Sequence, residues 1–481
     1  MTFQPTNISA IEDVRRETVD VYNRLHSIDT DAHFIDDVHA AYAAFPLIPN
    51  LRCGAWYTNP DKSAAVFAYF KSTDGHHGQW AFNLRRANLG LLAAIAQSGG
   101  VLLVDSTRRG KRIPDALAKT VPLWCAVINA AVGRRFYGAR WPIELFTPPG
   151  SVGPSEHSQM ESLVSGYADD LLSSDYTLPV LSKPLRPFWI TPATTSLPLA
   201  EQDPSSLGFF PVICVSASKM VPDGIDRRAA GYVYVQGSGD DHELWSQGLT
   251  PQLFWRHRTD LLAATRDELP DLAAKIVASE GNSQRTVDLT TVPQTDGLLG
   301  IAMTDKSVWT LEGSEAVILL QQQQKSDDDA APAPAPIPGH NNTSLRLLVL
   351  HIIAGKRGQH HFMHTVLPQA CAFAKEHFTR SARMPDDDVD RPRLVVAANC
   401  AGAGDNGEDA AVGVALAILQ QNFDEYGSVR LAASPGRADK ETIRKRLQWI
   451  LESRPGANPS RTTLKRVNEF LLSDVIRGST R

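Results

Sequence analysis

The residues best suited to grip a phosphorylated ligand lie in one short run, Asp105-Ser106-Thr107-Arg108-Arg109-Gly110-Lys111-Arg112. Four cationic side chains within five positions offer charge-assisted hydrogen bonds to phosphate oxygens. Ser106 and Thr107 add hydroxyls, and Gly110 lets the backbone approach closely. Asp105 is suited to bind a hydroxyl, help a metal or accept a proton. On composition alone the run fits a solvated basic turn or a nuclear-localisation patch equally well. A second run, Lys71-Ser72-Thr73-Asp74-Gly75-His76-His77, repeats the chemistry: Ser, Thr and Gly for an anion, Lys71 for charge, Asp74 or His76 to move a proton. Its plainer reading is a polar turn with Gly75 at positive φ. Arg85 and Arg86 follow closely enough to face the same ligand or to be ordinary surface arginines. Lys119 closes the stretch Val101–Lys119, where we expect a phosphorylated substrate to sit.

Two further loops carry reactive residue types. In Gln236-Gly237-Ser238-Gly239-Asp240-Asp241-His242-Glu243 the carboxylates of Asp240, Asp241 and Glu243 suit Mg²⁺, which is commonly held by one or two carboxylates plus substrate phosphates. The amides of Gly237, Ser238 and Gly239 could instead meet phosphate, or the loop could simply cap the next helix. In Asn399-Cys400-Ala401-Gly402-Ala403-Gly404 a loop cysteine precedes a helix, where amides and the helix dipole can activate a thiol. A cysteine phosphatase would need arginine where Asn406 and Glu408 stand and histidine where Asn399 stands. A buried cysteine in an anion-binding or structural loop is the favoured reading.

These loops need strands and helices to hold them. Helices are expected at about Ile8 to His26, Asp31 to Ala44 and Asn83 to Gln97, and from Pro114 through Val132. Apolar runs at Val101 to Asp105, Phe188 to Thr191, Val212 to Val215, Tyr232 to Val235, Leu298 to Ala302 and Ala316 to Leu320 read as buried strands. In open α/β sheets ligands sit beyond the carboxyl ends of the strands, where the Asp105 run emerges. The stretch from Gln321 to Asn342, with an acidic triplet and alternating Ala-Pro, reads as an extended linker. This gives an N-terminal domain 1–320, a linker 321–342 and a C-terminal domain 343–481. The last has strands Leu345 to Ile352 and Leu394 to Ala398, and helices near Phe362 to His377, Ala410 to Gln421, Lys440 to Ser453 and Pro459 to Leu472.

The 481 residues, 43% hydrophobic and 21% charged, describe an ordinary globular chain of two or three domains. No stretch reads as the run of roughly 20 apolar residues that a membrane span needs, and the N-terminus has no signal-peptide core. The expected compartment is cytoplasm, with nucleus as the alternative. The five cysteines are scattered singly, without a zinc or disulfide pattern. A net charge of −5 means that any phosphate-binding surface is local.

In order along the chain, YFKSTDGH, FNLRRANL, VDSTRRGKRIPDALAKTVPLWC, QGSGDDHELWSQGLTPQLFW and GVALAIL closely resemble the initiator tRNA phosphoribosyltransferase family of fungi and plants. The resemblance covers nearly the whole chain. It implies transfer of 5-phosphoribosyl from phosphoribosyl pyrophosphate to the 2′-hydroxyl of adenosine 64 in the T stem of initiator methionine tRNA. That modification would keep the initiator from the elongation factor. It also implies an N-terminal α/β domain of unusual topology and a C-terminal dual-specificity-phosphatase-like α/β domain. Glu408 and a longer Cys400 loop depart from the family, which puts phosphate binding there in doubt.

On this reading Mg²⁺ and the basic loop hold the donor. Lys71, Ser72, Thr73, His76, Arg85, Ser106 to Arg112, Lys119 and Gly237 to Gly239 form its grip, Asp74 or Asp105 takes the hydroxyl proton, and Asp240, Asp241 and Glu243 hold metal. Arg134, Arg135, Arg140, Arg444, Lys445, Arg461, Lys465 and Arg466 are candidates for RNA phosphates; neither DNA nor membrane is expected as a partner. The alternatives are a kinase-like or phosphatase-like nucleotide enzyme, though no G-x-x-x-x-G-K-[ST] loop occurs, and an inactive tRNA-binding scaffold.

Overall fold

Four parallel strands, β1 (Leu47–Pro49), β2 (Val101–Asp105), β3 (Leu185–Ile190) and β4 (Phe210–Ser216), form the first sheet in the spatial order β1-β2-β4-β3. This computed structural model describes residues 6–64, 66, 68–108, 110–227, 231–280, 288–304, 316–322, 346–353, 355–381, 392–399, 406–430, 438–454, 456–457 and 459–473. Strand β2 is apolar at every position before Asp105 because both faces of the sheet are covered. Val101 and Leu103 pack with helices α3 (Gly90–Ser98), α4 (Val121–Val132) and α5 (Pro154–Leu172). Leu102 and Val104 face the other way, onto the long N-terminal helix Val21–Ala41 and onto Pro251–Arg256, Arg258–Ala263 and Leu269–Glu280. At about 1.5–3 kcal/mol for each large apolar side chain buried, this two-sided packing fixes where β2 ends.

The chain forms two compact units, Met1–Asn282 and Ser283–Arg481. In the first, the expected helix Ile8 to His26 is interrupted. Asp20 accepts a hydrogen bond from the Asn23 amide (2.8 Å) and starts a new helix at Val21, which runs unbroken to Ala41. The expected helix Asn83 to Gln97 is a short 3-10 turn, Leu84–Arg86, then α3; Asn88, at φ 50°, separates them. Helical backbone runs from Ala116 to Tyr137, a 22-residue stretch apolar and long enough to cross a membrane, contrary to the sequence expectation. Residues 116–133 are buried under α5 and the sheet, while the last turn, 134–137, is exposed, so the stretch reads as a core helix. A short antiparallel ribbon, β5 (Ile225–Arg227) with β6 (Val233–Val235), carries the chain toward the glycine loop at 237.

The second unit is built on a five-stranded sheet of β7 (Asp288–Thr291), β8 (Leu299–Thr304), β9 (Ala316–Gln322), β10 (Leu347–Ile352) and β11 (Leu394–Asn399), in the order β10-β9-β11-β8-β7. All neighbours are parallel except β7 and β8. The boundary expected at 320 is therefore misplaced: residues 288–322 supply three strands of the C-terminal sheet. The stretch taken as an interdomain linker joins β9 to β10, strands paired residue for residue from Val317 with Leu347. Its residues 323–342 lie outside the described residues. A long polar insertion between adjacent strands is tolerated because closure entropy grows only slowly with loop length, and composition alone cannot tell it from a domain boundary.

Candidate active site

All four strands of the first sheet point their carboxyl ends the same way, so the segments after β1, β2 and β4 meet at one edge. The central group is Asp105, fully buried. Its two oxygens accept from Asn50 Nδ2 (2.9 Å), Arg52 Nε (3.2 Å), Arg52 Nη2 (3.1 Å), Cys53 Sγ (2.9 Å) and the Ser106 amide (2.9 Å). A carboxylate so fully engaged is a structural anchor, and its expected role as proton acceptor or metal ligand is not supported. Arg52 continues outward, donating to the Ser106 carbonyl and pairing with Asp240 Oδ1 at 2.6 Å. Burial works against the Arg52 charge, but Cys53, Asp105 and Asp240 together hold its pKa above the ordinary guanidinium value. Burial pushes the Cys53 thiol well up, with Asp105 adding to the shift, so it is a hydrogen-bond donor here and not a nucleophile.

The glycine loop is locked against the basic loop. Gln236 Nε2 lies within hydrogen-bond reach of the carbonyls of Thr107 (3.2 Å), Arg108 (3.1 Å) and Lys111 (2.8 Å), sharing its two N–H groups among them and tying down those three residues. Gly237, at φ 70°, leaves no room for a Cβ, which would stand 2.7 Å from the Thr107 carbonyl group. The amides of Gly237 and Gly239 and the hydroxyl of Ser238 are already taken. The Gly237 amide donates to Ser218 Oγ, the Gly239 amide to Tyr57 OH, and the Ser238 hydroxyl to the Val235 carbonyl. Ser106 Oγ lies 2.6 Å from Ser218 Oγ, which donates to Asp31; Tyr234 OH donates to the other Asp31 oxygen. Thr107 is buried too. Thus Ser106, Thr107, Gly237, Ser238 and Gly239 form the rigid backing of the site and not its grip.

Among the described residues no group of three His, Cys, Asp or Glu side chains is placed to hold a metal ion. Asp240 is held by Arg52 and, at 3.3 Å, by Arg108; Asp241 pairs with Arg108; Glu243 is exposed on the next turn. The first two members of the expected metal trio are engaged by arginine side chains, and the third, Glu243, is not grouped with them as a metal site. Burial raises the Asp240 pKa, with Arg52 and Arg108 pulling it partly back.

The second basic run does reach the same edge. The turn Ser72–Gly75 packs on Ala116–Thr120: Thr120 Oγ1 donates to the Lys71 carbonyl (3.1 Å), and a Cβ on Gly75 would lie 2.7 Å from the Asp115 carbonyl. Asp115 pairs with Lys111 and, at 3.4 Å, with Lys119, linking the two runs. Lys119 is buried and also pairs with Glu156 at 2.8 Å, so it bridges helices and does not face a ligand as expected. Asp74 Oδ2 pairs with Arg86 at 2.7 Å, so Arg86, one of the two arginines expected to face the ligand, is engaged by this carboxylate. Thr73, His76, Arg108, Gly110, Lys111 and Arg112 are exposed, while Lys71, Ser72 and Arg85 are half-buried. These form the accessible rim. Arg109 lies outside the described residues.

In the second unit Cys400, Gly402 and Gly404 also lie outside the described residues. The helix that follows, Asn406–Asn422, carries acids in its first turn. Glu408 pairs with Arg454 at 2.6 Å, and Asp409 accepts from the Ser460 amide (2.7 Å) and Thr463 Oγ1 (2.5 Å). A cleft beside it is lined by Gln322, Ile352, Gly358, Asp409, Thr463 and Arg466. Of the expected RNA contacts in this unit, Lys465 and Arg466 pair with Glu469, whereas Arg444 and Arg461 are exposed.

Arg24, Asp31, Asn50, Arg52, Cys53, Ser218, Tyr234 and Gln236 were not singled out from sequence. Gln236 opens the glycine run but its amide carries no signal of its own, the others form no recognisable motif, and Asn50, Arg52 and Cys53 are marked only by following the short strand β1.

Comparison with known proteins agrees with this division. Residues 14–278 match the family model for the Rit1 N-terminal domain, and residues 346–471 that for the Rit1 DUSP-like domain. An uncharacterized protein of Schizosaccharomyces pombe is 34% identical over 97% of this chain and 97% of its own length. The tRNA A64-2′-O-ribosylphosphate transferase of Saccharomyces cerevisiae is 31% identical over 96% of this chain and 94% of its own length. No solved structure matches. With both domain models matched in order and two relatives aligned nearly end to end, the chain belongs to the Rit1 family.

Proposed function

We propose that the chain is a tRNA 2′-O-ribosylphosphate transferase that moves 5-phosphoribosyl from phosphoribosyl pyrophosphate to adenosine 64 of initiator methionine tRNA. The observation that carries the reading is the meeting, at one sheet edge, of the two basic runs that a phosphate-rich donor needs, joined through Lys111, Asp115 and the turn at Gly75. The like-named activity of the aligned relative supports it.

In this reading Arg108, Lys111, Arg112 and Lys71 take the donor's phosphates, and the donor enters as its Mg²⁺ chelate, the metal carried mainly by pyrophosphate oxygens. The 2′-oxygen bonds to the anomeric carbon of the donor ribose as the bond from that carbon to pyrophosphate breaks, and pyrophosphate leaves with the electron pair. The hydroxyl proton passes to Asp74, whose Oδ1 has no hydrogen-bond partner among the described residues. Asp105 acts through Arg52 as a positioning residue. Catalysis comes from orientation and from cationic stabilisation of the leaving charge. The C-terminal unit serves in binding and not in phosphate cleavage, consistent with carboxylates occupying the first turn of Asn406–Asn422.

The test is incubation of initiator and elongator methionine tRNA with labelled phosphoribosyl pyrophosphate, with and without Mg²⁺. Label on the initiator alone, and only with Mg²⁺, is expected; no transfer to either tRNA refutes the reading.

A further inference from the structure

The long core helix ends in an unusual way. After Val132 the chain makes a wide turn over Gly133–Tyr137, reverses at Gly138 (φ 68°), and brings Trp141 back over the helix end. A Cβ on Gly133 would lie 3.0 Å from the Trp141 side chain, so glycine admits that close return. Tyr137 stacks on Trp141, with ring centroids 4.3 Å apart and planes within 12°, and its hydroxyl donates to the Leu181 carbonyl at 2.8 Å. Arg134 is tied down by Asp169 (2.6 Å) and Ser165. These contacts make a fixed platform.

What the platform presents is unpaired. Phe136 is 39% exposed and Tyr137 40% exposed, and Ile143 stands out beside them. Arg135 and Arg140 are exposed, and neither has an ion-pair partner among the described residues. Across 134–144 there are three arginines and one acid, Glu144. Exposed rings interleaved with free arginines suit a polyanion that also offers flat π faces, which describes RNA and not a simple anion. The platform begins at Gly133, seventeen residues along the helical run from Ala116 and so roughly 25 Å from that end at 1.5 Å per residue. A nucleotide-sized donor cannot span that distance; a folded RNA can.

The geometry points to the 133–143 platform as a second, remote docking surface for the RNA substrate, with Phe136 stacking on an unpaired base and Arg135 and Arg140 holding backbone phosphates. This rests on the reading of the chain as a tRNA-modifying enzyme.

The full-length protein is titrated with tRNA without donor, at two salt concentrations, and its transfer kinetics are then measured. Phe136→Ala is expected to weaken RNA binding at least fivefold, and Phe136→Trp to restore it. The double variant Arg135→Ala/Arg140→Ala is expected to lower the slope of log affinity against log salt by about 1.4–1.8, at about 0.7–0.9 per phosphate contact. In both weakened variants KM for tRNA rises, while kcat, KM for the donor and the melting temperature stay near wild type. Wild-type RNA affinity in both variants overturns the surface assignment, including the case in which the platform serves a protein partner. If the wild type binds tRNA through this surface yet transfers nothing, the enzymatic reading fails and the docking surface stands.

Discussion

Replacing Asp105 by Asn separates a structural anchor from a catalytic base. The native carboxylate receives five donors, and Asn offers one oxygen and turns an NH₂ group toward the rest. Breaking a buried ion pair from one side costs about 3–5 kcal/mol. With about 2–4 °C of melting temperature per kcal/mol for a domain of about 150–250 residues, the first unit should melt about 6–20 °C lower. Differential scanning calorimetry on the full chain reads this directly. Adding Arg52→Met to Asp105→Asn should recover part of the loss, because the second change removes the stranded cation. If Asp105 were instead the proton acceptor, the Asn variant would melt like wild type and lose about 10²–10⁴ in kcat. That pattern refutes the anchor assignment.

Four further outcomes follow from the same geometry. Gly237→Ala, strained by its positive φ and by a Cβ 2.7 Å from Thr107, should displace the basic loop and raise KM for the donor tenfold or more; an unchanged KM counts against the loop's role. Arg108→Ala removes an exposed pair with Asp241, worth about 0–1 kcal/mol, and one of the two cations on Asp240, which Arg52 still holds, so melting should change little while donor affinity falls about 10- to 100-fold in a binding titration. Asp74→Asn should lower kcat about 10²–10⁴ at unchanged donor KM, and near-normal turnover would remove it as the proton acceptor. Burial raises the pKa of Asp240, so its protonated form favours folding: that stabilisation is complete below the ordinary value of about 4 and is lost as pH rises through the raised one. Asp240→Asn should therefore gain stability relative to wild type as pH rises from about 4 through the raised value, and a variant that falls further behind as pH rises contradicts the sign.

The sequence was informative where a pattern is local. Strand β2 and its basic loop were legible because an apolar run of strand length ends at a cluster of charge, and the helices Lys440–Ser453 and Arg461–Leu472 matched closely because their periods and caps are intact. It misled at the domain boundary, where an Ala-Pro insertion inside a sheet has the composition of a linker. It also misassigned the hydroxyls and glycines of the site. Ser106, Ser238 and Gly237 have the chemistry to bind phosphate, but whether their donors face solvent or a buried partner depends on Asp31, Tyr57 and Ser218, which are distant in sequence. Lys119 shows the same effect: its partner Glu156 arrives from another helix.

Across the site the charges alternate from the sheet tip to the surface: Asp105, Arg52, Asp240, Arg108, Asp241. Side-chain exposure along that series is 0%, 20%, 12%, 61% and 42%. The inner pairs are shielded from solvent, and breaking one leaves a buried charge behind. The outer pair is in water, where an ion pair is worth little and is screened by salt. A polyanionic ligand arriving at the rim therefore competes for Arg108 at small cost, while Arg52, held on two sides, keeps the backing loops in register. The same arrangement explains why an arginine-rich loop can be stable before any ligand arrives: Asp240 and Asp241 occupy the role that phosphate would take, and only the outer one is weakly enough held to give it up.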